Sequence, residues 1–319
     1  MKAVGLFSFG GPEVLRVVDR DAPHAGPGEV RIRVRAAAIS PADTLIRRGA
    51  APLRFQGSEP IIPGLDVAGA IDEVGAGSDV GLSVGDRVVA LVNPTLRYGG
   101  GYAEQVVLPG SWVVPAPAGA DDAEAATLPL NGLTALRALD QLDLPAGSTL
   151  AVTGAAGAVG GFAVQLAKVA GHRVLADASP TDAQLVAALG ADVVVPRGSG
   201  VAEKFRAHAP DGVDAVVDAA VIGAPLLRAI RKGGRLAFVR GVAGQRAFEK
   251  AAERHGVRLF ATFVHDYDGR SDKLGLLCRL AGEGRLTLRV AGRFPPEEAA
   301  HAHRLLEAGG VRGRLILEF

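Results

Sequence analysis

The chain has 319 residues, 48% of them hydrophobic, a formal net charge of +1 and one cysteine. That length suggests about two domains of ordinary size, and the near-neutral charge gives no electrostatic case for nucleic acid or an anionic membrane. No apolar run approaches the ~18 residues of a membrane span. Cys278 lies in an apolar helical pattern with Leu274, Leu277 and Leu280; it can form no internal disulfide and reads as a buried, inert thiol.

The N-terminus, Met1-Lys-Ala-Val-Gly, runs directly into a strand pattern and lacks a signal-peptide core, so a cytoplasmic protein is expected. Residues 1–118 have an all-β texture: short strands at 30–35, 67–74, 87–91 and 104–108 alternate with Gly/Pro turns such as Ala25-Gly-Pro-Gly and Pro63-Gly64. Gly81-Leu-Ser83-Val-Gly85 satisfies a hydrolase string, but the serine precedes a strand instead of following one, so it reads as a turn.

From about residue 119 strands and helices alternate. The unit at 150–177 carries the chemistry. An apolar strand at 150–153 enters a turn with Gly154, Gly157 and Gly160, and a helix follows with Val159, Phe162, Ala163, Leu166, Val169 and Ala170 on one face. A second strand ends near Asp177, about twenty residues beyond the glycines, as in a dinucleotide-binding strand–turn–helix–strand unit. The helix N-terminus opens toward a diphosphate. One glycine permits the turn, one lets amides approach the phosphates, and one lets the helix pack on the strand. Further strands at 193–195, 215–217 and 236–239, with helices at 202–209 and after Gly223, argue for a doubly wound parallel sheet. The last 60 or so residues hold helices around 273–281 and 297–308 and a closing strand at 314–319, outside that alternation and expected to rejoin the first domain. The predicted division is 1–118 with 258–319, and 119–257.

Several segments together carry a family resemblance: Phe9-Gly-Gly-Pro-Glu-Val-Leu15, Pro63-Gly-Leu-Asp-Val-Ala-Gly69, Glu73-Val-Gly75, Val84-Gly-Asp-Arg-Val88, Gly101-Tyr-Ala-Glu104, Leu128-Pro-Leu-Asn-Gly-Leu-Thr-Ala135, Leu189-Gly-Ala-Asp192 and Gly309-Gly-Val-Arg-Gly-Arg-Leu-Ile-Leu317. In order and spacing the chain resembles the zinc-independent quinone oxidoreductases, zeta-crystallin-like members of the medium-chain dehydrogenase/reductase superfamily. The resemblance implies an α/β protein: a GroES-like, β-rich catalytic domain from both chain ends, a Rossmann domain between them, a substrate cleft at their junction, and a homodimer joined near 236–242 and 259–264, where a bare edge strand invites pairing.

Where zinc-dependent cousins carry a cysteine and a Gly-His-Glu, this chain has Ser40-Pro-Ala-Asp43 and Gly64-Leu65-Asp66, which do not make a tetrahedral zinc site. His301 and His303 are two apart on a helical pattern, hence on different faces, and read as solvated or edge residues. No Tyr-x-x-x-Lys pair exists, since Tyr98, Tyr102 and Tyr267 are followed four residues on by Tyr102, Val106 and Ser271; short-chain reductases are excluded.

A nicotinamide then delivers hydride to an acceptor whose conjugation spreads the developing charge, namely a quinone or an α,β-unsaturated carbonyl. Candidate contacts to acceptor or nicotinamide are Ser40, Asp43, Asn131 and Thr134; Asp43 reads equally as a structural cap, and the other two as simple packing. Ser40 and Leu45 depart from the asparagine and tyrosine usual in the family. Candidate coenzyme contacts are Thr153, Gly154, Ala155, Ala156, Gly157, Ala158, Val159, Gly160, Asp177, Ala178, Ser179, Arg197, Ala219, Val239, Arg240 and Gly241. Asp177 argues for NADH, because an acid there accepts from a ribose 2′-hydroxyl and repels a 2′-phosphate. Ser179, the resemblance and Arg197 argue for NADPH, the expectation adopted. An enoyl-thioester or pathway enoyl reductase and a non-catalytic nucleotide-binding protein are the alternatives.

Overall fold

The computed structural model describes every residue except 78–80 and 240–243. The chain forms two compact units: Met1–Leu130 with Tyr267–Gly284 and Leu288–Phe319, and Asn131–Asp266 with Arg285–Thr287.

The first unit is built on a seven-stranded sheet. Its long central strand, Glu29–Ile39, pairs antiparallel with Asp66–Val74 and Gln105–Pro109 and, at its far end, with the closing strand Arg314–Glu318. Arg33 and Arg35 alternate with buried Ile32, Val34 and Ala36, the period of two that turns one face to the core. Asp66–Val74 pairs with Arg87–Leu91. The turn before that strand places the Ser83 amide on the Asp86 carboxylate at 2.8 Å.

The second unit is a six-stranded, all-parallel sheet in the order Val193–Pro196, Arg173–Ala178, Thr149–Thr153, Val213–Asp218, Ile230–Phe238, Arg258–Ala261. By chain position this is 3-2-1-4-5-6, the doubly wound order that opens a crevice at the carboxyl ends of strands one and four. Leu175, Val216, Leu236, Phe205 and Phe248 lie in one buried cluster of this unit, each full burial of a large apolar side chain contributing about 1.5–3 kcal/mol before entropy.

Two elements differ from expectation. The helix after Gly223 is a 3₁₀ segment, Ala224–Ala229, because Pro225 opens it and the next strand begins at once. A helix the sequence pattern concealed, Gln245–His255, precedes the last parallel strand; only Phe248 and Ala252 are buried on it, too few to show a stripe. No helix among the described residues is long and apolar enough to cross a membrane.

Candidate coenzyme and acceptor site

The glycine turn is held by backbone geometry. Gly154 has φ +65°, a region that L side chains rarely adopt, and its carbonyl accepts from the Gly157 amide at 2.9 Å. Gly157 then caps the helix Ala158–Val169 and brings no side chain of its own to the helix's leading amides. Those donors at a helix N-terminus are what an anionic diphosphate needs. Gly160 lies against the turn so closely that a Cβ would stand 2.3 Å from the Gly154 oxygen. Ala155 and Ala156 are buried, whereas Gly157, Ala158 and Val159 are partly exposed along the rim. The residues present therefore fit a dinucleotide diphosphate.

Asp177 stands beside this turn. Its Oδ1 accepts from the Gly154 amide at 2.6 Å and approaches the Ala155 amide at 3.5 Å. Burial raises its pKa, opposed by those two amides and by Arg197. Ala178 is buried and its carbonyl accepts from the Arg197 amide at 2.9 Å. Ser179 donates its hydroxyl to Asp182 Oδ2 at 2.5 Å.

Across the sheet, Thr153 donates to Asp218 Oδ1 at 2.7 Å, and the Ala220 amide donates back to Thr153 Oγ1 at 3.3 Å. Asp218 also accepts from the Ile222 and Gly223 amides at 3.1 and 2.8 Å. It thereby organises the loop that holds Ala219 and keeps Val221 at φ 59°, a strained conformation for a β-branched residue. Asp218 was not among the predicted residues. An acid ending the apolar run Ala215-Val-Val-Asp218 is the same signal that pointed to Asp177. Val239 follows the strand Ile230–Phe238 and is partly buried. Arg240 and Gly241 lie outside the described residues.

In the first unit, Ser40 caps the helix Pro41–Arg47 in a reciprocal capping box with Asp43. Asp43 Oδ2 accepts from the Ser40 amide at 2.7 Å and from its hydroxyl at 2.9 Å, while Oδ1 accepts from the Gly64 amide at 2.8 Å. Both side chains are fully buried. Burial pushes the Asp43 pKa up to about 6 against those hydrogen bonds. The Tyr102 hydroxyl lies 3.3 Å from His303 Nε2, and its pKa is raised well above the ordinary value by burial and by the nearby Asp43. His303 therefore corrects the expectation of a solvated residue: it is fully buried, with its pKa pushed down to about 3 by burial. His301 is exposed, so the two do occupy different faces. Asn131 and Thr134 are buried on the helix Pro129–Leu142, and Leu45 is exposed.

Residues 26–118 match the alcohol dehydrogenase GroES-like domain family and residues 189–317 the zinc-binding dehydrogenase family. Rat quinone oxidoreductase is 31% identical across 99% of this chain and 97% of its own length. The chain belongs to the quinone oxidoreductase family. It is thus an oxidoreductase of the medium-chain dehydrogenase/reductase superfamily. The NADPH-dependent alkenal/one oxidoreductase of Arabidopsis thaliana chloroplasts is 30% identical across 99% of this chain and 79% of its own. A crystal structure described as an NAD-dependent alcohol dehydrogenase superposes with a TM-score of 0.88 at 32% identity over the whole of both chains. Among the described residues no group of three or more His, Cys, Asp or Glu could hold a metal ion, and Cys278 is buried with its pKa pushed up to about 12 by that burial.

Proposed function

We propose that this quinone oxidoreductase family member is a zinc-free reductase that passes hydride from a reduced nicotinamide adenine dinucleotide to a quinone or an α,β-unsaturated carbonyl. The observation that carries the reading is the glycine turn: a helix that starts from a glycine cap with no capping side chain, and the Asp177 carboxylate bonded to the Gly154 amide at its side. When bound, the reduced nicotinamide supplies the hydride. The chain's own residues bind the diphosphate, orient the adenosine ribose and meet the acceptor's developing charge with hydrogen bonds.

The same reading assigns the expected 1–118 and 258–319 to a GroES-like catalytic domain and 119–257 to the Rossmann domain, except that Arg258–Ala261, a strand of the parallel sheet, goes with the Rossmann domain. It gives Ser40, Asn131 and Thr134 contact with acceptor or nicotinamide. Asp43, bonded to both the amide and the hydroxyl of Ser40, acts by orienting that hydroxyl. The reading includes a cytoplasmic location and a homodimer through the edge strand Arg258–Ala261.

A panel of quinones, enones, enals and enoyl thioesters tests it, followed by loss of the reduced nicotinamide absorbance. Turnover of quinones or enones is expected, unchanged by a strong chelator. Turnover confined to thioesters, coenzyme binding without turnover of any acceptor, or loss of activity that zinc restores would each overturn it.

A further inference from the structure

The family resemblance leads to NADPH, but the residues around the adenosine ribose lead elsewhere. We propose that this chain selects NADH over NADPH, with Asp177 as the discriminating residue and Asp182 reinforcing it. The proposal rests on the coenzyme reading above and deepens it.

Asp177 is held in place. Its Oδ1 is bonded to the Gly154 amide at 2.6 Å, at the first glycine of the diphosphate turn, and among the described residues nothing donates to Oδ2. That oxygen is left to accept from a ribose hydroxyl, the role an acid at this point of a doubly wound sheet plays for the unphosphorylated coenzyme. A 2′-phosphate would bring about −1.5 to −2 of charge to the same place.

The serine that should receive such a phosphate is occupied. Ser179 follows the strand directly, and its hydroxyl proton goes to Asp182 Oδ2 at 2.5 Å; its oxygen also lies 2.9 Å from Thr181 Oγ1. Asp182 is buried, so this second carboxylate is fixed against the loop rather than swinging into solvent. Cations are scarce: residues 174–196 contain no lysine or arginine. Arg197 is exposed at the neighbouring strand end and attracts Asp177. Lys204 donates to the Pro196 carbonyl at 3.0 Å. Among the described residues Arg197 is the cation that attracts Asp177, and one guanidinium already engaged with a carboxylate offers a dianion little net attraction.

Calorimetric titration of the purified protein with NADH and with NADPH tests this without any acceptor. NADH is expected to bind at least tenfold more tightly. Asp177→Asn, which keeps an oxygen for the Gly154 amide and removes the charge, should erase most of that preference. Asp182→Lys, which leaves the turn untouched, should move the affinity ratio about tenfold toward NADPH. Steady-state kcat/KM with each coenzyme gives the same ratio independently. Equal affinities, or tighter NADPH, would overturn the proposal, as would an unchanged ratio in both variants. Failure of both coenzymes to bind would instead overturn the underlying coenzyme reading.

Discussion

Single residues set the limits of this site. Gly160 faces main chain, not flexible side chains: its absent Cβ would meet the Gly154 carbonyl oxygen at 2.3 Å and carbon at 2.7 Å. Gly160→Ala should therefore cost about 1–3 kcal/mol of stability and weaken coenzyme binding in parallel, as read by urea unfolding and calorimetry. The buried trio Asp43, Tyr102 and His303 makes a second residue-scale prediction. Asp43 has its native pKa raised from 3.8 to about 6. Its contribution to stability is complete below the ordinary value and is lost as pH rises through about 6; a shift of that size is worth about 3 kcal/mol. His303 has its pKa lowered from 6.5 to about 3, so its contribution is complete above the ordinary value and is lost as pH falls toward about 3. The two slopes oppose each other between about pH 4 and 6, and the wild-type curve conceals both. The difference in unfolding free energy between wild type and Asp43→Asn should fall as pH rises through that window, while the difference for His303→Gln should grow. Parallel curves for wild type and both variants would show that neither group titrates as its burial dictates.

At the scale of elements, the buried ion pair Asp66–Arg314 joins parts of the first unit far apart in sequence. Arg314 Nη2 donates to Asp66 Oδ2 at 2.7 Å and Nε to the Ile39 carbonyl at 3.2 Å. Asp66 Oδ1 in turn accepts from the Leu130 amide at 2.5 Å, in the first turn of the helix Pro129–Leu142. The closing strand is thereby tied to the central strand and to the helix start. Burial raises the Asp66 pKa while Arg314 pulls it down. Arg314→Ala should cost about 3–5 kcal/mol, because it leaves an uncompensated buried charge. Adding Asp66→Asn to Arg314→Met should recover part of that loss, a comparison made by urea unfolding. An additive double variant would mean the pair is not coupled.

At the scale of the whole molecule, the parallel sheet ends in Arg258–Ala261, a short strand that among the described residues pairs on one side only. Leu259 and Phe260 on it are only partly buried, and such an edge favours pairing with a second copy. Light scattering coupled to gel filtration should give about twice the chain mass of 32.6 kDa; a monomeric mass at micromolar concentration would count against the dimer. Substituting Pro for Phe260 should shift the population toward monomer, since proline removes an edge donor and strains the strand.

Local chemistry made much of this protein legible in sequence. The strand–glycine–helix unit depends on short-range rules: Gly154 must take a left-handed turn, an apolar stripe follows at helical spacing, and an acid closes the second strand. The doubly wound sheet and the coenzyme class follow from that pattern. What needed the tertiary structure were contacts between residues distant in the chain. His303 lies on the face its helix shares with buried Ala299 and Ala302, and its partner there, Tyr102, is 201 positions away. The Gly64 amide on the second oxygen of Asp43 is such a contact. The Ser179 hydroxyl on Asp182 is a short-range one that the turn Pro180–Asp182 brings about. A side chain's partners are chosen by the fold, because hydrogen bonds and desolvation act over a few ångströms of space whatever the separation in sequence.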